Sequence, residues 1–415
     1  MQIVSNTIMK DSPRLHLIVA LLILCCGVST AHARQPVRLG FVYILSGAFA
    51  AYGENARQGA LLAVDEINRA GGIDGRLVLT WFENSRSRPN VAIRTMQTLV
   101  REKQVDALIG IDSSKVAQRV AAVANDLKTP LIITNAATPK VTGAQCNRYV
   151  FRVSLNLTQV IKSAALLAAD SEAESWSTVG KKHTYSYESW DYFKTLIQDL
   201  APGMNTLADP KNVFIPSRQK DFTPYLDKLE RTESDGVLVT LWGGYLRRFI
   251  KQADARGLFA SDRRFLFTMG AALDNLMILG DKMPTGLWVT APYWFLAQES
   301  DRNRQFVTNY QARYHTFPSH LAHGAYAAVY AFKAAADKAG TTEKEAVAAA
   351  LANLTLELPG GRTTFRAADH QAVADLWWGQ TYADPAHAMR ILKPLKRFQG
   401  NAITRPVNAT GCPTR

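Results

Sequence analysis

The chain has 415 residues, of which 47% are hydrophobic and 20% charged, and its formal net charge is +13. This composition is typical of a globular protein with enough residues for two hydrophobic cores, and it excludes a low-complexity or disordered chain. Lys and Arg are scattered and often stand beside Asp or Glu. The charge therefore predicts a solvated surface with a mild attraction for anionic ligands, rather than nucleic-acid binding.

The first 33 residues differ from the rest and predict a signal peptide. Lys10 and Arg14 precede an apolar run at residues 15–28, and residues 31–33 read Ala-His-Ala, which matches the A-x-A pattern of a cleavage site. A basic segment, an apolar segment and a small-residue exit are typical of a secretory signal. The run is shorter than the roughly 20 residues that cross a bilayer. A membrane anchor and a lipidated form are the alternatives.

Cleavage after residue 33 would leave two cysteines, Cys146 and Cys412. An even number of cysteines in an exported protein predicts a disulfide bond, because the compartment outside the inner membrane is oxidising. Two separate buried thiols are the alternative.

Short apolar strands alternate with amphipathic helices in the first part of the chain that follows the signal. A strand at 37–44 precedes a helix at 55–70, which ends at two consecutive glycines. The same alternation then places strands at 77–83, 105–110 and 131–134, and helices at 90–102 and 114–128. Repeated units of this kind predict a parallel sheet covered by helices on both faces.

A second series follows a break at residues 151–156. Its helices are predicted at 156–170, 189–200, 222–231 and 245–257, and its strands at 178–180, 212–215, 236–241, 264–268 and 286–290. The remaining helices are predicted at 302–314, 321–339 and 342–353, and short strands at 363–366 and 376–381. The two series predict an α/β protein with two similar lobes.

Several predicted loops lie at the carboxyl ends of strands, the edge of an open α/β sheet where ligands bind. They cover residues 45–55, 111–114, 135–139, 181–188, 242–245 and 269–274.

Ser113 and Ser114 stand where a strand ends and a helix begins, so their hydroxyls and the helix amides can hold a carboxylate. A plain helix N-cap is the alternative. Ala136 and Thr138 follow the next strand, where a small residue lets the backbone approach a ligand and the threonine adds a hydroxyl.

Tyr52, Tyr187 and Trp242 fall in loops on the same predicted edge. Aromatic side chains there suit a mostly apolar pocket with a few polar groups. Packing in the core is the alternative for each of the three.

The sequence contains no nucleophile elbow G-x-S-x-G, no phosphate loop G-x-x-x-x-G-K-[ST] and no zinc motif H-E-x-x-H. His315, His320 and His323 are close in sequence, but no acidic residue or cysteine stands near them as a further metal ligand. The sequence therefore predicts a protein that is not an enzyme and that has no metal and no other cofactor.

Several segments, in order and at characteristic spacing, resemble one family. They are residues 39–47 (Leu-Gly-Phe-Val-Tyr-Ile-Leu-Ser-Gly), 52–53, 59–68, 70–75, 109–110, 113–114, 134–138, 149–152 and 235–237. This set is similar to the leucine/isoleucine/valine-binding family, the type I periplasmic solute-binding proteins of ABC importers. The resemblance implies two Rossmann-like lobes joined by three crossovers, with the ligand in the cleft between them. The lobes are expected at 34–154 with 291–363, and at 155–290 with 364–415.

The resemblance also implies a pocket. In it, Ser114, with Ser113 adjacent, holds the carboxylate of the ligand, and the loop with Ala136 and Thr138 completes that site. The first-lobe aromatic falls on Tyr52. The second-lobe aromatics fall on Tyr187 and Trp242, although Glu188 replaces the glycine that follows the tyrosine in the family.

The sequence departs from the family pattern at the position that binds the ammonium group of an amino-acid ligand. Amino-acid-binding members of the family carry an acidic residue after the strand that here ends at Thr268, whereas the first acid in this chain is Asp274. A buried ammonium without a partner is costly. The departure therefore favours a carboxylate without an α-amino group, such as an aromatic acid. Residues 365–371 are similar to a branch of the family with varied ligands, which points the same way.

The resemblance implies that the protein captures a small carboxylate, an amino acid or an aromatic or other organic acid, in the periplasm. It would deliver this ligand to the membrane permease of an ABC importer, and it is expected to be a monomer without a nucleic-acid partner. A periplasmic ligand-sensing subunit of a signalling receptor is one alternative, and a secreted hydrolase is another.

The predicted cleavage site gives the first test. We expect protein recovered from the periplasm to begin at Arg34, because residues 31–33 supply the small residues of the cleavage pattern. Intact-mass measurement checks this. A mature form that retains Met1, or one that carries a lipid on Cys25, would contradict the prediction.

Overall fold

The structure is a computed structural model that describes residues 35–207 and 211–413. The predicted signal peptide, residues 1–33, lies outside these described residues. The part of the chain from Pro36 onward forms one contact unit, and it is built on two large sheets and one small one.

The first large sheet has five parallel strands in the order β2-β1-β3-β4-β5. These strands are β1 (Val37–Tyr43), β2 (Val78–Asn84), β3 (Ala107–Gly110), β4 (Leu131–Ile133) and β5 (Val150–Arg152). The helices between them are α1 (Ala50–Arg69), α2 (Pro89–Arg101) and α3 (Ser114–Asp126). β3, β4 and β5 are buried along their whole length, because helices cover both faces of a parallel sheet.

Two boundaries in this first part differ from the sequence prediction. β5 includes two residues that the sequence pattern placed in the break at 151–156, because a three-residue strand is too short to show a period. α1 begins at Ala50 rather than at residue 55, so Tyr52 lies on a helix and not in a loop. Gly53 and Gly59 weaken the helix signal. A Cβ at Gly59 would clash with the carbonyl oxygen of Ala322, so the glycine allows two helices to approach closely.

The second large sheet repeats the arrangement of the first. Its parallel strands are β6 (Ser175–Lys181), β7 (Asn205–Thr206), β8 (Val213–Ile215), β9 (Gly236–Val239), β10 (Arg264–Phe267) and β11 (Trp288–Thr290). β6 lies between β9 on one side and β7 and β8 on the other, and β10 and β11 follow β9. The helices are α4 (Leu157–Ala169), α5 (Thr184–Leu200), α6 (Thr223–Glu230), α7 (Gly243–Asp254) and α8 (Leu273–Leu279).

The chain then returns to each sheet in turn. The later elements are α9 (Asp301–Tyr314), α10 (His320–Ala339), α11 (Lys344–Leu351), β12 (Thr355–Leu358), β13 (Gly361–Phe365), β14 (Ala372–Val373), β15 (Leu376–Tyr382), β16 (Ile391–Phe398) and α12 (Gly400–Ile403). α9 and α10 pack on α1 of the first lobe. β15 and β16 extend the second large sheet with antiparallel pairing, whereas β12, β13 and β14 form the small sheet.

The predicted fold class is confirmed: the protein has two Rossmann-like α/β lobes, and its chain passes between them three times. In both sheets the strand order reverses beside the first strand, between β1 and β3 and between β6 and β9. The exact lobe boundaries remain a proposal. The small sheet spans Thr355–Val373, and so it crosses the predicted boundary between residues 363 and 364.

A buried hydrogen-bond network joins the segments that pass between the lobes. The side-chain oxygen of Gln371 accepts hydrogen bonds from the Thr142 hydroxyl at 2.9 Å and from Asn156 Nδ2 at 3.1 Å. Its amide nitrogen donates to the Ser154 carbonyl at 2.9 Å. Arg152, also fully buried, donates to the Thr142 hydroxyl at 3.2 Å. This network explains why polar residues occur at buried positions in residues 142–156 and 365–371.

The predicted disulfide bond is confirmed. Cys146 and Cys412 are bonded, with their Cα atoms 5.5 Å apart and a sequence separation of 266 residues. The bond attaches the C-terminal tail to the segment just before β5. Among the described residues, no helix is both long enough and apolar enough to span a membrane.

Loss of the disulfide should lower stability. A native disulfide bond typically contributes about 2–4 kcal/mol to the free energy of unfolding. We expect the double variant Cys146→Ala/Cys412→Ala to lose stability in that range in urea unfolding. Peptide mapping without reductant should find the two cysteine peptides linked; two thiols that can be alkylated without reductant would contradict the bond.

Candidate ligand-binding site

The loops at the carboxyl ends of the two large sheets face each other. A Cβ placed on Gly243, the first residue of α7, would lie 3.2 Å from the hydroxyl oxygen of Tyr52 on α1. The pKa of Tyr52 is raised, first by burial and then by Asp274 of the second lobe. The strand ends beside the two points of reversed order therefore form one cleft, the place where open α/β sheets bind ligands.

Ser114 and Thr138 meet on the first-lobe side of the cleft. Ser114 is the first residue of α3, and its hydroxyl oxygen accepts a hydrogen bond from the backbone N–H of Thr138 at 3.1 Å. The Ser114 hydroxyl acts there as an acceptor, so its own hydrogen remains to be donated. Thr138 is 5% exposed, and its hydroxyl oxygen accepts from the backbone N–H of Lys140 at 3.4 Å. Two hydroxyl groups thus stand beside the amino end of a helix, whose first N–H groups have no partner within the helix.

The two neighbouring residues from the sequence prediction support the same arrangement. Ser113 occupies the N-cap position of α3, but its side chain makes no capping hydrogen bond within the described chain. Ala136 is fully buried, and its backbone N–H donates to the Ile111 carbonyl at 3.0 Å. Its own carbonyl accepts from Arg152 at 3.1 Å. The loops after β3 and β4 are therefore fastened to each other and to the crossover segments.

Asp112 lies in the loop between β3 and α3, and its side chain was not singled out in the sequence. One of its carboxylate oxygens, Oδ2, accepts from the backbone N–H of Ile44 at 2.8 Å. The other, Oδ1, is shielded from solvent and has no hydrogen-bond partner among the described residues. Burial raises the pKa of Asp112 to about 7, and the bond from Ile44 opposes that rise. The signal in the sequence was an acid directly after a strand, which also fits an ordinary turn.

The backbone that carries Asp112 is strained. Ile111 has a φ of 71°, in the left-handed region that β-branched residues rarely adopt. The Ile111 N–H donates to the Val42 carbonyl at 2.9 Å, and the Ile111 carbonyl accepts from Ala136, so hydrogen bonds on both sides hold it there. Strain of this kind persists where the surrounding structure fixes it, and it is concentrated at functional sites.

Aromatic side chains line the second-lobe side. Trp242 immediately precedes α7, and its ring lies 5.3 Å from that of Tyr185 and 5.5 Å from that of His183, both in edge-on geometry. Lys181, at the end of β6, places its ammonium 5.8 Å from the Trp242 ring and 4.9 Å from the Tyr245 ring. The pKa of Tyr185 is raised by burial and lowered in part by hydrogen bonds. The group offers flat apolar surface with a cation at its edge.

Tyr187 lies elsewhere. α5 begins at Thr184, five residues before the predicted start, so Tyr187 is on the helix and not in a loop. Its ring packs on Phe214 at 4.5 Å, and the residue is 37% exposed. The structure gathers Tyr185, not Tyr187, beside Trp242. The three residues before Glu188 read Tyr-Ser-Tyr, so the sequence alone could not show which of the two tyrosines lies beside Trp242.

Asp274 reaches the cleft but carries a partner. Arg247 Nη1 donates to Asp274 Oδ2 at 2.9 Å and to the side-chain oxygen of Asn275 at 3.0 Å. Burial raises the pKa of Asp274, and Arg247 counteracts this. The negative charge of Asp274 is therefore compensated within the second lobe.

A surface cavity of about 420 Å³ between α1, α9 and α10 is a separate feature. Its carboxylate, Glu66, already accepts hydrogen bonds from Asn309, Tyr326 and Tyr330. These bonds fasten helices together, and the cavity is remote from the strand-end loops.

Comparisons with known proteins identify the family of this chain. The family described as periplasmic binding protein matches residues 36–384, most of the chain. The chain belongs to this family. The family membership predicted from the sequence is thereby confirmed.

Relatives of this periplasmic binding protein include the leucine-, isoleucine-, valine-, threonine- and alanine-binding protein of Pseudomonas aeruginosa. It is 23% identical over 360 residues, which cover 86% of this chain and 92% of the relative. A Leu/Ile/Val-binding protein homolog 4 from Brucella abortus is 24% identical over 367 residues, covering 84% of this chain and 85% of the relative.

Solved structures show the same fold. An amino acid ABC transporter substrate-binding protein from Pseudomonas fluorescens Pf-5 has a TM-score of 0.81 and 22% identity, with 92% of this chain and 99% of that chain covered. A solute-binding protein of an ABC transporter from R. palustris in complex with 4-hydroxybenzoate has a TM-score of 0.77 and 18% identity, with 88% and 97% covered.

Gly243 allows a direct test of the cleft. Its φ is 54°, so Gly243→Ala should lower the free energy of unfolding by about 1–2 kcal/mol. It should also weaken ligand binding, because the new methyl group would crowd the Tyr52 hydroxyl. Gly257→Ala is the matched control: its φ is 70°, and a Cβ there would meet nothing within 4 Å.

Both variants should lose similar stability in urea unfolding, but only Gly243→Ala should lose affinity in calorimetric titration. Equal affinities for the two variants would mean that the ligand does not bind beside the contact between Tyr52 and Gly243.

Proposed function

We propose that this chain is a periplasmic solute-binding protein that captures a small carboxylate and delivers it to the membrane permease of an ABC importer. The observation that carries the proposal is the hydrogen bond from the Thr138 N–H to the Ser114 hydroxyl oxygen. Because that oxygen is used as an acceptor, the hydroxyl hydrogen of Ser114 is left to donate, and a carboxylate is the natural acceptor for it.

The same place offers further donors to an anion. The first N–H groups of α3 have no intrahelical acceptor, and the positive end of the helix dipole favours a negative charge. Thr138 supplies a second hydroxyl, and Ala136 has no side chain beyond Cβ to hinder the ligand. We assign the ligand carboxylate to this first-lobe position.

The opposite wall would hold the apolar part of the ligand. Trp242 and Tyr185 from the second lobe and Tyr52 from the first are the aromatic residues at the cleft. Flat aromatic surface suits both branched aliphatic and aromatic ligands. Both kinds of ligand occur among the similar proteins: one relative is named as an amino-acid-binding protein, and one solved structure is a complex with 4-hydroxybenzoate.

Export fits the same role. The family consists of periplasmic binding proteins, and residues 1–33 have the pattern of a cleaved secretory signal. A disulfide bond is stable in an oxidising compartment. We propose that the mature monomer closes its lobes around the ligand and presents the closed form to the permease.

The test begins with a thermal-shift screen of amino acids, aromatic carboxylates, amides and short diacids, because a ligand raises the melting temperature according to its affinity. For any carboxylate found, Ser114→Ala and Thr138→Ala should each weaken binding by about 1–3 kcal/mol, or roughly 5- to 150-fold. Trp242→Ala should also weaken binding, since it removes apolar contact area.

Ser300→Ala is the control for a structural effect. Ser300 caps α9 by accepting a hydrogen bond from the Asn303 N–H at 3.2 Å. Its loss should lower the melting temperature and leave affinity unchanged. Unchanged affinity in Ser114→Ala, Thr138→Ala and Trp242→Ala would show that the ligand binds elsewhere.

A further inference from the structure

We infer that the ligand is a dicarboxylate whose second carboxylate binds Lys181, so that each lobe holds one of its two anionic groups. The inference rests on the proposed function, since it takes the first carboxylate at Ser114 and Thr138 as given. It narrows that function to ligands that carry an anionic group at each end.

Lys181 lies on the second-lobe side of the cleft. It is the last residue of β6, the strand beside which the strand order of the second sheet reverses. Its ammonium is 5.8 Å from the ring of Trp242, the residue just before Gly243. A Cβ on Gly243 would lie 3.2 Å from the Tyr52 hydroxyl of the first lobe. The ammonium of Lys181, a residue partly exposed to solvent, therefore stands close to the place where the two lobes meet.

The ammonium of Lys181 lacks an anionic partner. Within residues 35–207 and 211–413 it forms no ion pair and no hydrogen bond, and its neighbours are the rings of Trp242 and Tyr245, at 5.8 and 4.9 Å. A ring face attracts a cation but accepts its hydrogens only weakly. The three N–H groups of the ammonium are therefore left to donate to an anion.

The aromatic surface under this ammonium is fixed before a ligand arrives. Tyr245 donates its hydroxyl hydrogen to the Pro216 carbonyl at 3.0 Å, and its hydroxyl oxygen accepts from the Gln219 N–H at 3.2 Å. The backbone N–H of Lys181 donates to the Ser186 hydroxyl at 3.1 Å. A lysine that rests on a fixed ring loses less entropy when its ammonium binds a ligand.

His183 offers a second donor beside Trp242. Its Nδ1 accepts the backbone N–H of Tyr185 at 3.2 Å, so in the neutral ring the hydrogen is on Nε2. Burial and the nearby charge of Lys181 lower the pKa of His183, and Glu188 opposes them. The ring is therefore neutral near pH 7, with one N–H to donate, and it lies 5.5 Å from the Trp242 ring.

The strand-end edge around Lys181 is positively charged. The end of β6 and the loops that follow β6 and β8 contain four cations and one acid, which are Lys181, Lys182, Arg218, Lys220 and Asp221. Among the described residues none of these four cations is in an ion pair, and the nearby Asp274 is already paired with Arg247. An excess of positive charge at this wall attracts a ligand that has an anionic group to place there.

The two anion positions belong to different lobes. Ser114 and Thr138 are in the first lobe and Lys181 is in the second, and the aromatic residues Tyr52 and Trp242 lie beside the contact between the lobes. The ligand therefore needs its two carboxylates at opposite ends of an apolar chain or ring. A monocarboxylate such as 4-hydroxybenzoate would leave the ammonium without a counter-charge.

The experiment compares pairs of ligands in which a terminal carboxylate replaces a terminal methyl group. The pairs are pentanedioate with pentanoate, hexanedioate with hexanoate, octanedioate with octanoate, and terephthalate with 4-methylbenzoate. Calorimetric titration at pH 7.5 should show that at least one diacid binds and that its partner binds about 10- to 150-fold more weakly.

Variants of the two donors should reduce that difference. Lys181→Met keeps an apolar stem on the rings and removes the charge, so it should abolish most of the preference for the diacid, whereas Lys181→Arg should retain it. His183→Asn keeps a favoured helix cap and removes the Nε2–H. It should weaken diacid binding by about 5-fold.

Lys251→Met is the matched control. Lys251 is on the same helix as Gly243, α7, eight residues further on, or about 12 Å along the axis. It is exposed and forms no ion pair with any described residue. The substitution makes the same change of charge away from the cleft, so affinity for both members of each pair should be unchanged.

Ionic strength gives a readout that needs no variant. A contact between Lys181 and a carboxylate is electrostatic and partly exposed, so salt screens it. When the salt concentration is raised from about 0.01 M to about 0.15 M, affinity for the diacid should fall more than affinity for its monoacid partner. In Lys181→Met the two affinities should fall to nearly the same extent.

The outcomes separate the inference from the proposed function. A monocarboxylate or an amino acid that binds more tightly than every diacid, in a manner dependent on Ser114, would overturn the inference and leave the proposed function standing. So would a diacid preference that is unchanged in Lys181→Met, or equal salt dependence for both members of a pair in the wild type. Failure of every carboxylate to bind would overturn both.

Discussion

The amide side chain of Gln371 is the constraint on which the two-lobed arrangement depends. It receives hydrogen bonds from Thr142 and Asn156 and donates one to Ser154, so it fastens three neighbouring positions around the first crossover. Because the group is 1% exposed, each lost bond would leave a buried polar atom unpaired. The lobes can rotate about this region only if the network moves as a unit or exchanges partners.

The cleft follows from the order of the strands. In each lobe, the strands that follow the first one are added first on one of its sides and later on the other. The connecting helices on the two sides therefore diverge at the point between β1 and β3 in the first lobe and between β6 and β9 in the second. The divergence leaves a crevice at the carboxyl ends of the strands. Ser114 occupies it in one lobe, and Lys181 and Trp242 in the other. The first lobe thus contributes hydroxyls and one aromatic ring, Tyr52, and the second contributes Trp242 and the ammonium of Lys181.

Periodicity was sufficient to predict most helices and strands and, from their two series, the two α/β lobes, and the even number of cysteines was sufficient to predict the disulfide bond. Helix starts were less predictable. α5 is capped by His183, whose ring nitrogen accepts the Tyr185 N–H at 3.2 Å, and histidine is not a usual capping residue. The predicted start at residue 189 therefore left Tyr185 and Tyr187 in a loop, whereas both lie on α5. Asp112 could not be recognised either, because only the three-dimensional structure shows that one of its oxygens is buried without a donor.

The bond between Cys146 and Cys412 has a topological consequence. The segment it closes contains the whole second sheet and all of the helices from α4 onward, together with β5 of the first sheet. The second lobe therefore lies within one covalently closed ring, which also includes α9 and α10 that pack on the first lobe. A single cut anywhere in that ring leaves one molecule rather than two fragments. An enzyme that digests from the carboxyl end would meet the crosslink almost at once. The ring thus limits the damage that a single proteolytic cut does to the covalent integrity of the chain.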